Sequence, residues 1–204
     1  MPEKTLEGMR VAILATDGVE DAELQEPRKA LDRAGARTVL FAPKAGKIYS
    51  MKYHEKAAQY RVDRMLDHAD AADFDALLLP GGALNADTLR VQPRAQQFVQ
   101  EMDQTSKPIA MICHAPWLMI SADQVRGRML TSYHTIQDDV RNAGGKWQDE
   151  EVVRDKNWVS SRQPSDIPAF NQAMLELFAE SHRAAVERGH RVHDSGPGRE
   201  SRPA

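Results

Sequence analysis

The feature that most constrains this 204-residue chain is a rhythm. Three short apolar runs, Val11 to Ala15, Ala76 to Leu79 and Ile109 to Ile112, are each followed by turn residues and then by a helical pattern. The runs are continuous rather than alternating, as in strands buried on both faces. A fourth, Thr38-Val39-Leu40-Phe41, follows a helical stretch in which Ala30, Leu31 and Ala34 share one side before Gly35, a residue suited to a helix C-terminus. Pro27 is expected to mark that helix's first turn or a kink. Such alternation implies an α/β fold with a mainly parallel sheet, right-handed crossovers and helices on both faces.

The segment from Lys44 to Ala72 is polar and weakly periodic, and is expected to form short strands or a small excursion rather than a second domain. Farther on, Ile136 to Asn142 is amphipathic, Gly144-Gly145 reads as a turn, and Asp155-Lys156-Asn157 reads as a hairpin turn between Glu151–Arg154 and Trp158–Ser160. Pro168 to Glu187 places Phe170, Met174, Leu177 and Phe178 on one helical stripe. From about Gly189 the chain is almost without apolar residues, so a single domain over 1–188 and a disordered tail over 189–204 are expected. His190 and His193 in that tail lack partner ligands, so no metal site is expected there.

One cysteine excludes an intramolecular disulfide framework, and the opening residues MPEKTLEGMR lack the apolar stretch of a secretory signal, so the cytoplasm is the expected compartment. No apolar segment approaches the roughly 20 residues that span a bilayer. The net charge of -3 gives no electrostatic reason to expect nucleic acid.

Cys113 itself stands where the run Ile109 to Ile112 meets a helix-like segment, His114 to Ser121. A lone cysteine is usually a buried core residue. At the start of a helix, however, unpaired N–H groups and the macrodipole favour the thiolate, and this placement predicts a reactive thiol. In open parallel sheets ligands bind beyond the carboxyl ends of the strands. Three segments fall there: Thr16-Asp17-Gly18-Val19-Glu20-Asp21, Pro80-Gly81-Gly82 and Cys113-His114-Ala115. Gly81-Gly82 is either a plain tight turn or, with the N–H of His114, an oxyanion hole. Asp21 reads as an ordinary first-turn acid, whereas Glu20 is expected to point into the crevice and, protonated, to hydrogen-bond the thiolate. A base role for His114 is geometrically awkward, because consecutive side chains on a sharp turn diverge. Asp87 is a candidate partner for it, and equally a solvated acid or helix cap.

These residues resemble the PfpI-type intracellular proteases, within the superfamily of the parkinsonism-associated deglycase and the class I glutamine amidotransferase-like fold. The resemblance is carried by Gly18-Val19-Glu20-Asp21-Ala22-Glu23-Leu24 with Pro27, by Leu79-Pro80-Gly81-Gly82, by Ile112-Cys113-His114-Ala115-Pro116, by Thr131-Ser132-Tyr133 and by Asn157-Trp158-Val159-Ser160-Ser161-Arg162, within residues 9 to 182. It implies a flavodoxin-like three-layer sandwich that assembles as a homodimer or higher homo-oligomer, needs no cofactor, and uses Cys113 as nucleophile. It implies that Glu20 is the acid beside the cysteine, that Tyr133 lines the pocket, and that Asp87, 26 residues before the cysteine, completes His114 across a subunit interface. Many relatives have Glu where this chain has the shorter Asp87. The glutaminase branch is not implied, since Glu180 and His182 read as one exposed helical turn.

Fold membership does not fix the reaction. The leading expectation is a stress-response enzyme in which the Cys113 thiolate attacks small carbonyl compounds or glycated protein, in deglycase or glyoxalase fashion. Peptide hydrolysis by Cys113, His114 and Asp87 is the enzymatic alternative. A redox sensor or chaperone using Cys113 is the non-enzymatic one.

Overall fold

The computed structural model describes residues 5–194, with side chains described for residues 5–187. The chain runs β1 (Arg10–Leu14), β2 (Val19–Glu20), α1 (Asp21–Arg33), β3 (Arg37–Ala42), β4 (Lys47–Lys52), β5 (Glu55–Arg61), β6 (Arg64–Met65), β7 (Ala76–Leu79), α2 (Ala83–Arg90) and α3 (Pro93–Gln104). It continues through β8 (Ile109–Ile112), α4 (Pro116–Ser121), β9 (Met129–Leu130), α5 (Gln137–Asn142), β10 (Lys146–Trp147), β11 (Val152–Asp155), β12 (Trp158–Ser161) and α6 (Ile167–Asp194). Seven strands form the central sheet in the order β11-β12-β8-β7-β1-β3-β6. Only the β11–β12 hairpin is antiparallel, and its two-residue turn, Lys156-Asn157, lies within the segment expected from sequence.

All four apolar runs are strands of this sheet, and period-two alternation divides each between the two faces. Val11, Ile13, Leu40, Leu78 and Ile112 face α1 and α6, where they meet Leu24, Leu31, Phe170, Met174 and Phe178. Ala12, Leu14, Phe41, Leu77 and Met111 face the other way, against Leu89, Phe98, Met102 and Met119 of α2, α3 and α4. Each fully buried Leu, Phe or Met contributes about 1.5–3 kcal/mol, so two covered faces account for the continuous apolar character of the runs. The result is a mostly parallel α/β sandwich.

The chain leaves β1 toward β3 on one side and returns to β7 on the other. At such a reversal the loops after neighbouring strands part and leave a crevice at the carboxyl edge. The loops after β1, β7 and β8 therefore open onto the same space. The polar segment from Lys44 to Ala72 folds largely as the hairpin β4–β5, which joins β2 in a separate three-stranded sheet over that crevice.

Some local expectations change. Pro27 lies well inside α1, buried, rather than in its first turn. Proline at that position releases the carbonyl of Glu23, four residues earlier. The final helix continues past Gly189 to Asp194, beyond the boundary expected for the tail, and residues 195–204 lie outside the described residues. The side chains of His190 and His193 also lie outside those described. Glu180 is exposed and pairs with Arg154, while His182 contacts the Glu7 carbonyl, so these two residues serve α6 docking rather than catalysis.

Candidate active site

Strand β8 ends at Ile112, and the chain turns sharply through Cys113-His114-Ala115 into α4. Cys113 itself takes φ 64°, a left-handed conformation that costs a non-glycine residue about a kcal/mol or more. Two backbone bonds enforce it: the Cys113 N–H donates to the Ser161 carbonyl at 3.0 Å, and its carbonyl accepts from Tyr133 N–H at 2.8 Å. The strained turn aims the sulfur at the crevice, as a nucleophile elbow does.

The loop after β7 meets it. N–H groups of Gly82 and His114 both donate toward the sulfur, so the pair expected to form an oxyanion hole converges there. Both glycines are required by close approach. A Cβ on Gly81 would collide with a Glu23 carboxylate oxygen and stand 2.6 Å from the Cys113 Cβ; one on Gly82, where φ is 91°, would collide with the Gly18 carbonyl. Asn85, buried at 1% exposure, ties the loops together. Its Oδ1 accepts from the Thr16 N–H at 2.7 Å, and its Nδ2 donates to the carbonyls of Pro80 and Gly81 at 3.0 and 2.9 Å.

The acid against the thiol is Glu23, not Glu20. Glu23 is fully buried, and neither of its oxygens reaches full hydrogen-bond geometry with any partner; the Cys113 thiol and the Gly81 N–H are its weakly bonding neighbours. Burial pushes its carboxyl up to about 8, and the nearby Glu20 charge adds to the rise. Glu20, one turn earlier, sits half-buried at the mouth, where its Oε2 accepts the Tyr53 N–H at 3.2 Å. The start of the helix explains the exchange. Glu20 precedes α1 in extended backbone (ψ 123°), at the end of β2, whereas Glu23 lies inside the first turn and joins the buried side with Leu24, Pro27, Ala30 and Leu31. An acid on an apolar stripe was the signal in the sequence that pointed to it.

The placement argument for a low thiol pKa also needs correction. Cys113 is only 6% exposed, and burial first, then the Glu23 charge, push the thiol up; the N–H groups of Gly82 and His114 oppose that rise. Two buried acids this close do not both ionise. With the proton on Glu23, the repulsion disappears and its O–H becomes a donor to the sulfur.

His114 and Cys113 do not diverge, contrary to expectation: Nδ1 lies 3.2 Å from Sγ, because the left-handed turn at Cys113 rotates the two side chains together. Burial and the neighbouring His134 keep the imidazole's pKa below its usual value. The ring stacks on Tyr133 at 4.9 Å, which places Tyr133 on the pocket wall, and its Nε2 faces the Thr135 hydroxyl at 3.4 Å. Among the described residues no carboxylate hydrogen-bonds His114. Asp87 is exposed on α2.

The resulting pocket holds about 560 Å³ and is lined by Cys113, His114, Glu20, Glu23, Tyr133 and Gly82, with Met51, Tyr53 and His54 from the β4–β5 hairpin. Asp21, read from sequence as an ordinary helix-start acid, anchors that hairpin: it accepts the Ser50 hydroxyl at 2.6 Å and the Tyr60 hydroxyl at 2.8 Å. Among the described residues no group of three or more His, Cys, Asp or Glu is arranged to hold a metal. No helix there is long and apolar enough to cross a membrane.

The DJ-1/PfpI family model matches residues 9–177, most of the chain and the whole of the site. The chain belongs to the DJ-1/PfpI family. Among its relatives, protein/nucleic acid deglycase 2 of Escherichia coli (strain K12) is 43% identical over 170 residues, covering 83% of this chain and 97% of that protein. General stress protein 18 of Bacillus subtilis (strain 168) is 40% identical over 172 residues, covering 84% and 98%. Schizosaccharomyces pombe DJ-1 superposes with a TM-score of 0.74 at 21% identity over 86% of this chain and 98% of its own, which shows a shared flavodoxin-like fold. The matched span holds the cysteine turn, the glycine loop and the acidic start of α1 that meet in this pocket.

Proposed function

We propose that the chain is a stress-protective enzyme that uses Cys113 to act on carbonyl compounds, either small ketoaldehydes or their early adducts on protein. The observation that carries this reading is the buried Glu23 carboxyl, raised to about 8, packed against a thiol toward which two backbone N–H groups donate. Such an arrangement lets one proton pass between sulfur, carboxyl and substrate oxygen at neutral pH. The thiolate adds to the carbonyl carbon, forming a C–S bond as the C=O pair moves to oxygen. Glu23 gives that oxygen its proton, and the N–H groups of Gly82 and His114 stabilise the charge as it develops. As a carboxylate, Glu23 then takes the proton from the carbon that now bears sulfur, giving an enediol, and that proton returns to the neighbouring former ketone carbon; the product is a Cys113 thioester, which water cleaves to the hydroxy acid and the free thiol. Neutral His114, 3.2 Å from the sulfur, relays protons. Relatives named deglycase and general stress protein support the reading.

The test is incubation with methylglyoxal, and separately with its adducts on N-acetylated amino acids, followed for lactate. Equal lactate production by wild type and Cys113→Ala removes the proposal.

Peptide hydrolysis is the second reading, favoured by the Cys113–His114 pair alone. It requires a carboxylate for His114, which a second copy of the chain supplies through Asp87 in this reading. Mixing Cys113→Ala and Asp87→Ala subunits tests that: a shared site restores about a quarter of wild-type activity per chain, because half of the mixed dimers' sites are intact. No restoration on mixing excludes a shared site. Absence of Cys113-dependent cleavage of fluorogenic peptides removes the peptidase reading.

A further inference from the structure

The charges around the pocket are one-sided. Among the described residues its lining includes two carboxylic acids and two histidines but no lysine or arginine. Glu23 holds its proton, which leaves Glu20 as the carboxylate available for charge pairing. One Glu20 oxygen accepts the Tyr53 N–H, and among the described residues no hydrogen bond occupies the other. Asp21, next along the chain, is engaged by the hydroxyls of Ser50 and Tyr60. Lys52 lies close enough to influence Glu20 electrostatically, but it is exposed and does not line the pocket. Besides Glu23, Cys113 and the two histidines, the side chains lining the pocket with Glu20 are apolar or aromatic, among them Met51, Tyr53, Leu84, Tyr133 and Pro164. Tyr53 and Leu84 are 75% and 57% exposed, so this wall lies at the mouth rather than in the depth. A half-buried carboxylate framed by aromatic rings and methylenes suits an ammonium or guanidinium on an aliphatic stem. A phosphate or carboxylate on the substrate finds no cationic side chain there.

We infer that Glu20 is a specificity residue that selects carbonyl compounds carried on a cationic group, an amine or guanidine, and that the pocket discriminates against anionic ones. Glu20 acts on the part of the substrate that leaves or stays outside, while Glu23 and Cys113 act on the carbonyl. In this respect the inference deepens the proposed function and rests on it for the word substrate. The charge selection itself stands on geometry alone.

Cys113 is the only cysteine in the chain, so it reports on the pocket without background. Its modification rate is measured with two methanethiosulfonates of similar size, one bearing trimethylammonium and one sulfonate, and each rate is normalised to that of a small free thiol. Wild type is expected to favour the cationic reagent by about tenfold, the effect of one partly screened charge a few ångströms away. Glu20→Gln is expected to bring the normalised ratio close to one, and Glu20→Lys to invert it. A wild-type ratio at or below one, or a ratio that Glu20→Gln leaves unmoved, overturns the inference. A second measurement follows lactate from the methylglyoxal hemithioacetals of thiocholine, mercaptoethanol and mercaptopropionate, which share a reacting group and differ in charge. Turnover in that order supports selection during catalysis, and the reverse order overturns it. If the reagents show the selection and none of the three adducts yields lactate, the proposed function fails while Glu20 keeps its role in reading charge.

Discussion

At the amino end of β8, the Arg128 guanidinium donates to Asp155 at 2.8 Å, to Asp103 at 3.3 Å and to Asn157 at 3.1 Å, and lies 3.6 Å over the Trp158 ring. At the carboxyl end of the same strand, Glu23 and Cys113 are buried against each other, with the His114 ring beside the sulfur and a few N–H groups, and, among the described residues, with no cation paired to either. In the first cluster nearly every polar atom has a partner. Asp103 also receives the Trp158 N–H at 2.6 Å and the Asn157 amide at 2.9 Å. Burial alone would raise the Asp155 carboxyl, but hydrogen bonds from Arg128 and Met129 and the guanidinium charge hold it below its usual value. In the second cluster burial wins, and Glu23 rises. Partial burial with partners supplied gives a fixed charge, and full burial with partners withheld gives a movable proton. The first cluster holds the fold together, whereas the second gives up stability and holds a proton with no fixed partner.

The largest effect expected is on chemistry. Cys113→Ala should lower lactate formation by about 10³-fold or more, as removal of a covalent nucleophile does, with the fold intact by circular dichroism. Next comes the opposite end of the strand: Arg128→Ala takes the cation away from two acids that keep only neutral donors and should cost about 3–5 kcal/mol. In a protein of this size that is a fall of about 10 °C or more in Tm. Activity measured below the new midpoint should survive, and its loss there would blur the contrast between the two ends.

Glu23→Gln should separate the two properties most sharply. Turnover should fall by about 10²–10⁴, the usual contribution of a positioned acid or base. Stability should move the other way with rising pH. The unfolded carboxyl ionises near 4.5 while the folded one keeps its proton to about 8, so across that window the folded state binds more protons and wild type loses stability as pH rises. The glutamine variant lacks this loss. Its Tm relative to wild type should therefore climb by several degrees between pH 5 and pH 8, and a constant difference would show that Glu23 ionises normally. The smallest effect is expected for Gly81→Ala, about 1–3 kcal/mol from overpacking, because its Cβ meets Glu23 and Cys113 together. Reduced turnover should accompany that loss, since both groups must shift.

The sheet was legible because its physics is local and redundant. Each of the runs at Val11, Thr38, Ala76 and Ile109 is apolar at every position or nearly so, and only strands covered on both faces make use of that. Cys113, Gly82 and the His114 N–H were also legible, since a strand-to-helix junction dictates where its backbone points. The acid was harder to place. Glu20 and Glu23 are three residues apart and would share one helix face, so the helical pattern alone does not choose between them. The choice follows from where the helix begins: Glu20 stays in β2 at the mouth, and Glu23 lies inside the first turn of α1, against the thiol. Asn85 and Asp21 were invisible in their actual roles, because each acts on loops distant in sequence: Asn85 on Thr16, Asp21 on Ser50 and Tyr60.

What the sequence determined by itself was the layered α/β architecture and the placement of Cys113 at the end of β8, because burial periodicity and chain direction are written residue by residue. Tertiary structure alone decided the state of that position. Whether a thiol or a carboxyl holds the proton depends on how much water is excluded and on which charges and N–H groups face it. Those groups come from β1, α1, β7 and β8 only when the sheet has assembled and the crevice has closed around Cys113.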